Sequence, residues 1–153
     1  VHEKLYRSKN LTKVNFGEYI QSLAHNLFRA YQINTNRIKL KLNVSKIGLN
    51  IEYAIPCGLI INELITNSLK YAFPKSIDKT GLIEISLGKI NSQQIELVLK
   101  DNGVGLPDDI DFRKTQSLGL KLVSSLVENQ LEGTIALDQA AGTTFRITFG
   151  LAG

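Results

Sequence analysis

The segment Leu59–Pro74, which reads Leu-Ile-Ile-Asn-Glu-Leu-Ile-Thr-Asn-Ser-Leu-Lys-Tyr-Ala-Phe-Pro, constrains the fold of this 153-residue chain most strongly. Its apolar residues recur at the spacing of an α-helix, so one face is expected to pack on a sheet. That face holds Ile61, Leu64, Ile65, Ser68 and Ala72. Proline suits a first helical position and also stops a helix, so we predict a helix from near Pro56 to about Phe73.

Four polar or aromatic residues form a row on the opposite side of this helix. They are spaced i, i+4, i+7 and i+8 and comprise Glu63, Asn67, Lys70 and Tyr71. The amide oxygen of Asn67 is a hard ligand suited to Mg²⁺, and Lys70 can neutralise phosphate oxygens. The row is equally compatible with an ordinary solvated face that carries one Glu–Lys contact.

The rest of the chain predicts the element order α, β, α, β, β, α, β, β. Asn15 with Glu18 three residues later has the form of a capping box, and the apolar spacing behind it predicts a helix of about 15 residues. Apolar patterns predict strands over 37–44, 81–87, 94–99, 133–137 and 143–149, and a helix over 118–131. We therefore expect an α/β two-layer sandwich: a mixed, mostly antiparallel sheet with helices on one face.

Composition limits the classes of function. Apolar residues make up 43% of the chain, enough for one buried core, and no run approaches the roughly 18 apolar residues of a membrane span. The net charge is +4, which permits a polyanionic partner without requiring one. No positively charged segment followed by an apolar run opens the chain, so we expect no secretion signal. We expect a cytoplasmic domain, and the sequence leaves open whether the parent protein is membrane-anchored.

Single residues narrow the possibilities further. Cys57 is the only cysteine, which excludes an internal disulfide. A position at the start of a helix could lower the pKa of its thiol, but we expect Cys57 to be a core residue. The basic strand face of Lys39, Lys41 and Lys46 lacks interleaved aromatic residues, so we expect a solvated face and no nucleic-acid partner. The chain starts with Val and contains no Met, which predicts a piece of a longer protein.

A second motif, Lys100-Asp-Asn-Gly-Val-Gly-Leu-Pro-Asp-Asp109, follows the third predicted strand. Asp101 at the strand end can accept a hydrogen bond from an exocyclic amine. Gly103 and Gly105 let the backbone pass close to a flat ring without a Cβ in the way. Asp-Asn-Gly is also a common turn signal, although no second hairpin strand follows it.

Two further motifs lie in the C-terminal third of the chain. Ser117-Leu-Gly-Leu-Lys-Leu-Val123 opens a predicted helix, where Gly119 would leave free N–H groups at the positive end of the helix dipole, a natural seat for phosphates. Leu118 and Leu120 suit packing. Gly142-Thr-Thr-Phe145 stands at the start of the last strand and, taken alone, predicts a turn followed by a strand.

In this order, the four motifs resemble the ATP-binding domain of sensor histidine kinases, in the superfamily of gyrase, heat-shock chaperone, histidine kinase and mismatch-repair ATPases (the Bergerat fold). Asn62–Pro74 looks like the N box, and Asp101–Gly105 looks like the D-x-G-x-G of the G1 box. Ser117–Leu120 resembles the G2 box, and Gly142–Phe145 resembles the G-T-x-F motif. The amino-acid sequence of the N box, together with Ser-Leu-Gly-Leu in the G2 box, is similar to that of the kinase subfamily whose phosphoacceptor region is called HisKA_2.

The resemblance implies roles for the N-box residues. Asn67 would ligate Mg²⁺, Lys70 would contact phosphate, and the ring of Tyr71 would lie along the nucleotide. Glu63 matches the carboxylate that activates water in the chaperone and gyrase branches, and in a kinase its role would be that of a base or an orienter. Glu63 and Asn67 are therefore the candidate catalytic residues, with Asn67 as the candidate metal ligand.

The other motifs are implied to hold the nucleotide. Asp101 would bond the adenine amine, Gly119 would sit by the phosphates, and Thr143 or Thr144 would lie near the adenine. The remaining candidates for nucleotide binding are their neighbours Gly103, Gly105, Leu118, Leu120 and Lys121. The implied cofactors are ATP and Mg²⁺.

Two features depart from the family pattern. Only 13 residues separate Gly105 from Gly119, so the loop over the nucleotide is short. Its phenylalanine motif is reduced to Asp111-Phe-Arg113, and we expect modest nucleotide affinity. The family carries its phosphoacceptor histidine on a helix ahead of this domain. His2 would lie at the end of the second dimerisation helix, which is not the helix that carries the acceptor. His25 is expected at a structural or solvent-edge position. We therefore expect the acceptor histidine to lie outside this chain.

We therefore predict an enzyme domain. Residues 14–153 would be the ATP-binding catalytic domain of a two-component histidine kinase, and residues 1–13 the end of a dimerisation and phosphotransfer helix with its linker. Implied partners are ATP or ADP, the phosphoacceptor domain of a homodimeric parent and a downstream response regulator; the fragment would be a monomer unable to phosphorylate itself. The alternatives are an anti-sigma-type serine kinase, against which the segment before Asn15 argues, and a non-catalytic nucleotide-binding module.

Overall fold

The computed structural model describes residues 13–75, 79–105 and 119–151, and the structural statements below concern these residues. In chain order the elements are β1 (Val14–Asn15), α1 (Phe16–Ala30), β2 (Ile38–Val44), β3 (Gly48–Leu49), α2 (Ile51–Asn67), β4 (Gly81–Asn91), β5 (Gln94–Asp101), α3 (Leu120–Ser125), β6 (Thr134–Asp138) and β7 (Thr143–Gly150). Two five-residue π-helical segments, Ser68–Ala72 and Leu126–Gln130, continue α2 and α3.

Five strands form one mixed sheet in the order β2-β4-β5-β7-β6. β2 and β4 run parallel, and the other neighbouring pairs run antiparallel. Alternate residues of β4 (Ile83, Ile85 and Leu87) are buried, because successive side chains of a strand point to opposite faces. These side chains share a core with the apolar faces of the helices, so the predicted two-layer sandwich is confirmed.

Helix α1 begins and ends as the sequence predicts. The Asn15 side chain accepts a hydrogen bond from the N–H of Glu18 at 3.3 Å, and the helix is 15 residues long. Its residues Phe16 and Ile20 are fully buried in the core. The short strands β1 and β3, which pair antiparallel, are absent from the prediction because two residues show no alternation.

The predicted start of α2 is wrong. The helix begins at Ile51, so Pro56 lies inside it. The N–H groups of Tyr53 and Ala54 donate to the carbonyl of Asn50 at 2.9 and 3.0 Å, which starts the helix without a proline. A proline inside a helix removes one backbone hydrogen bond, but the added turn buries Ala54 completely, and this burial offsets part of the loss.

The predicted ends of the helices agree better with the structure. α2 continues through its π-helical segment to Ala72, next to the predicted end at Phe73. The last helical stretch reaches Gln130, one residue short of the prediction, whereas Leu118 lies outside the described residues. Within the described ranges, every helix is too short or too polar to cross a membrane.

Cys57 lies in the core, as expected. It is fully buried, and this burial raises the pKa of its thiol above the ordinary value. The alternative of a lowered pKa is wrong, because α2 starts six residues earlier and Cys57 is an interior helix residue.

We expect this thiol to weaken the fold in alkaline solution. Because the folded-state pKa is raised, the unfolded thiol ionises first, so stability is lost as the pH rises above 9.0, the ordinary pKa. The loss reaches about 1.4 kcal/mol at about pH 10. Urea denaturation of the wild type and of Cys57→Ala between about pH 8 and about pH 10 measures it. Parallel pH profiles for the two proteins would contradict the assignment.

Candidate functional site

A cleft opens where the end of α2 meets the end of β5, the start of β7 and the start of α3. Its volume is about 350 Å³ when the open solvent at its mouth is counted. Ten residues from distant parts of the chain line it: Leu64, Asn67, Ser68, Tyr71, Ala72, Asp101, Gly105, Leu120, Thr143 and Phe145. All four sequence motifs therefore contribute residues to one cleft.

Asp101 is the buried charge of this cleft. The residue is 4% exposed and lies at the end of β5, opposite Thr143 of β7. Oδ2 accepts a hydrogen bond from Oγ of Ser68 at 2.7 Å, and Oδ1 accepts one from the N–H of Gly103 at 2.9 Å. A carboxylate held in this way among apolar walls suits a flat ring that carries an amine.

Two glycines allow the chain to close tightly around Asp101. A Cβ on Gly103 would lie 2.3 Å from the carbonyl oxygen of Ala72, and the adjacent Val104 N–H donates to that carbonyl at 3.0 Å. Gly142 has a φ of +89°, and a Cβ there would lie 2.1 Å from the carbonyl oxygen of Asp101. In the structure, the residue that Gly103 approaches closely is therefore Ala72, at the end of the helix.

Gly119 brings the N box and the G2 box together. Its φ is +68°, and a Cβ would lie 2.5 Å from Oε2 of Glu63. Only glycine adopts this conformation without strain and also leaves room for the carboxylate. The carboxylate of Glu63 therefore lies beside the start of α3, where Leu120 enters the core.

The structure separates the other candidates by position. Tyr71 lines the mouth of the cleft with its side chain 50% exposed. Lys70 and Lys121 are exposed and do not line the cleft. Thr143 is buried in the cleft, whereas Thr144 points to the opposite face of the sheet, because strand side chains alternate.

The predicted position of two residues at the end of α2 is wrong. Asn67 and Tyr71 do not lie opposite the sheet-facing side, since they line the same cleft as Leu64 and Ala72. The cleft lies along the boundary between the sheet-facing and solvent-facing sides of the helix, so residues of both rows reach it.

Four cleft residues are missing from the sequence prediction as site residues: Leu64, Ser68, Ala72 and Phe145. Ser68 is predicted only as a sheet-facing residue, and Phe145 only as part of a motif. A small polar residue within an apolar stripe, directly after Asn67, is the signal that could have identified Ser68. The sequence also does not predict the role of Arg37. Its guanidinium donates a hydrogen bond to the carbonyl of Phe73 at 2.7 Å and so anchors the end of the helix.

The donor set fits a nucleotide-bound magnesium ion. No group of three or more His, Cys, Asp or Glu side chains gathers in the described part of the chain. The cleft supplies the amide of Asn67, and the carboxylate of Glu63 lies beside Gly119. Mg²⁺ bound with phosphates takes only one or two protein ligands and keeps several waters, so these side chains suffice.

Family comparison agrees with the geometry. Residues 52–153 match the family of histidine kinase-, DNA gyrase B- and HSP90-like ATPases, and residues 1–31 match the histidine kinase family HisKA_2. The chain is 29% identical over 91 residues to blue-light-activated histidine kinase 2 of Erythrobacter litoralis, covering 60% of this chain and 26% of that protein. It is 27% identical over 103 residues to the sensor histidine kinase PdtaS of Mycobacterium tuberculosis, covering 65% and 20%.

Solved structures show the same fold. The histidine kinase domain of the EL346 blue-light-activated kinase of Erythrobacter litoralis superposes with a TM-score of 0.83 at 23% identity, over 96% of this chain and 70% of that chain. The catalytic domain of the histidine kinase ThkA superposes with a TM-score of 0.74 at 16% identity, over 91% and 94%. The chain spans about a quarter or less of the length of the curated relatives above. It belongs to the family of histidine kinase-, DNA gyrase B- and HSP90-like ATPases.

Proposed function

We propose that the cleft binds Mg-ATP and that the γ-phosphoryl group passes from it to a histidine of the parent protein outside this chain. The buried carboxylate of Asp101, with a donor on each oxygen, is the observation that carries the proposal. A fixed acceptor at the base of an apolar cleft recognises the amine of adenine, and the amide of Asn67 lines the same cleft.

Each motif would hold a different part of the nucleotide. Asp101 and Thr143 would face the adenine, and Tyr71 would cover it from the mouth of the cleft. Asn67 would ligate Mg²⁺, whose positive charge stabilises the phosphate oxygens when it is bound. Lys70 and Lys121 are exposed and would turn toward the phosphates that lie near Gly119.

The chemistry would be an in-line displacement. A nitrogen of the acceptor imidazole forms a bond to the γ-phosphorus while the bond from that phosphorus to the β,γ-bridging oxygen breaks, and ADP leaves. The catalytic domain contributes positioning and charge stabilisation. Glu63, whose carboxylate lies beside Gly119, would accept the proton of the imidazole or orient the ring.

The proposed partners follow from this chemistry. The acceptor histidine would belong to the dimerisation region of a homodimeric parent, and the phosphoryl group would then pass to a response regulator. Residues 1–13 would connect the two regions, and the reaction would take place in the cytoplasm, where ATP is available.

Phosphorylation of the full-length parent with Mg-ATP tests the function. We expect acid-labile phosphate on the parent and a loss of it in the Asn67→Asp variant, because a second carboxylate beside the phosphates adds repulsion. The isolated chain is expected to bind ADP without phosphorylating itself. Acid-stable phosphate would instead indicate a serine kinase, and nucleotide binding without any phosphate transfer would indicate a binding module.

Replacing Tyr71 with alanine is expected to weaken ADP binding about fivefold, because the ring supplies contact area to the nucleotide. The melting temperature should stay near that of the wild type, since half of the side chain is already exposed. Tyr31→Ala is the matched control, because Tyr31 is 40% exposed and lies outside the cleft. Isothermal titration calorimetry measures both variants, and equal ADP affinities would refute the role of Tyr71.

A further inference from the structure

Ser68 lies at the junction between α2 and its π-helical segment, directly after Asn67. Its hydroxyl reaches the sheet, where Oγ lies 2.7 Å from Oδ2 of Asp101. A serine in a helix commonly turns its hydroxyl to the carbonyl four residues earlier. Here the side chain lines both the cleft and a smaller cavity toward the sheet.

The direction of this hydrogen bond is fixed by chemistry. An ionised carboxylate only accepts, so the single hydroxyl proton of Ser68 is donated to Asp101. The N–H of Gly103 donates to the other carboxylate oxygen at 2.9 Å. One donor comes from the helix and the other from the G1 loop, so together they prevent rotation of the carboxylate about its Cβ–Cγ bond.

Water does not readily replace either donor. Asp101 is 4% exposed, and the walls beside it include the apolar residues Leu64, Leu120 and Phe145. In such surroundings a short hydrogen bond to a charged group is stronger than it is in water. The orientation of the carboxylate therefore depends on the Ser68 hydroxyl.

We propose that Ser68 is a positioning residue that sets the preference of the cleft for 6-aminopurine nucleotides. It acts through Asp101, by fixing the lone pairs that accept the purine amine. The inference rests on the proposed function, because it takes Asp101 as the acceptor for adenine. Removing the hydroxyl frees the carboxylate and weakens the bond to the amine, while contacts of the ring with the apolar walls remain.

Calorimetric binding of two nucleotides to the whole chain tests this role. The first is ADP, and the second is purine riboside 5′-diphosphate, which carries hydrogen in place of the 6-amino group. Ser68→Ala is expected to lower the affinity for ADP about fivefold to tenfold, the effect of one hydrogen bond. Its affinity for the deamino analogue should stay within about twofold of wild type.

Control variants separate positioning from folding. Ser68→Thr keeps a hydroxyl and is expected to restore the preference for ADP. Thr66→Ala removes a hydroxyl from the same helix outside the cleft and should leave both affinities unchanged. The ratio of the two affinities does not depend on the fraction of folded protein, so it remains valid if Ser68→Ala is less stable.

The outcomes are distinguishable. An equal loss for both nucleotides, or no loss for either, would refute the role of Ser68 and leave the proposed function standing if the wild type binds ADP. Failure of the wild type to bind ADP would refute the proposed function and this inference together. A loss confined to ADP, restored by Ser68→Thr, supports the inference.

Discussion

The Asp101→Asn protein is expected to bind ADP about 100-fold more weakly than the wild type. The carboxylate only accepts hydrogen bonds, whereas an amide turns one side of the group into a donor that faces the donor of the purine amine. A hydrogen bond to a charged group contributes about 1.5–3 kcal/mol, and 2.7 kcal/mol corresponds to about 100-fold. Isothermal titration calorimetry with ADP measures the difference.

The fold should survive this substitution, because the amide oxygen of the variant can still accept from the N–H of Gly103. Thermal denaturation checks that the variant is folded. Asp138→Asn is the matched control, since it removes an exposed carboxylate at the end of β6. If Asp101→Asn bound ADP as tightly as Asp138→Asn does, Asp101 would not be the adenine acceptor.

Gly142→Ala is expected to lower the free energy of unfolding by about 2–4 kcal/mol. The residue has a φ of +89°, which an alanine rarely adopts, and its Cβ would lie 2.1 Å from the backbone oxygen of Asp101. Backbone atoms cannot move aside as the end of a flexible side chain can, so β5 and β7 must separate where Asp101 pairs with Thr143. Urea denaturation followed by circular dichroism measures the loss.

Gly88→Ala provides the comparison for that substitution. Gly88 lies in β4, and a Cβ there would find only Oγ of Ser45, at 3.8 Å. We expect its stability to stay within about 0.5 kcal/mol of wild type. Similar stabilities for the two alanine variants would show that the tight approach at Gly142 is not needed for the fold.

Most of the fold follows from local patterns. Alternation in strands and 3.6-residue spacing in helices depend on one buried face for each element, and each element longer than two residues has such a face. The start of α2 is the exception. Pro56 resembles a helix start in the sequence, but Ala54 and Cys57 are buried, and their burial in the core extends the helix toward its N-terminus.

Only some of the residues that line the cleft can be predicted from the sequence. Asn67, Tyr71, Asp101 and Thr143 are predicted as site residues from their motifs, and the structure gathers them in one cleft. The sequence does not show which of Thr143 and Thr144 lies in the cleft. Neighbouring residues of one strand lie on opposite faces, so the answer depends on the register of β7 on β5. The contact of Ser68 with Asp101 depends on how the helix packs against the end of β5.

The sequence by itself determined the class of fold and the chemical groups available to a nucleotide, because amphipathic periodicity and motif residues are properties of short segments. The tertiary structure alone decided which groups touch. Ser68 meets Asp101 across 33 positions of chain, and Glu63 faces Gly119 across a still longer separation. No local pattern encodes such contacts, since they depend on how helix and sheet pack over the whole core.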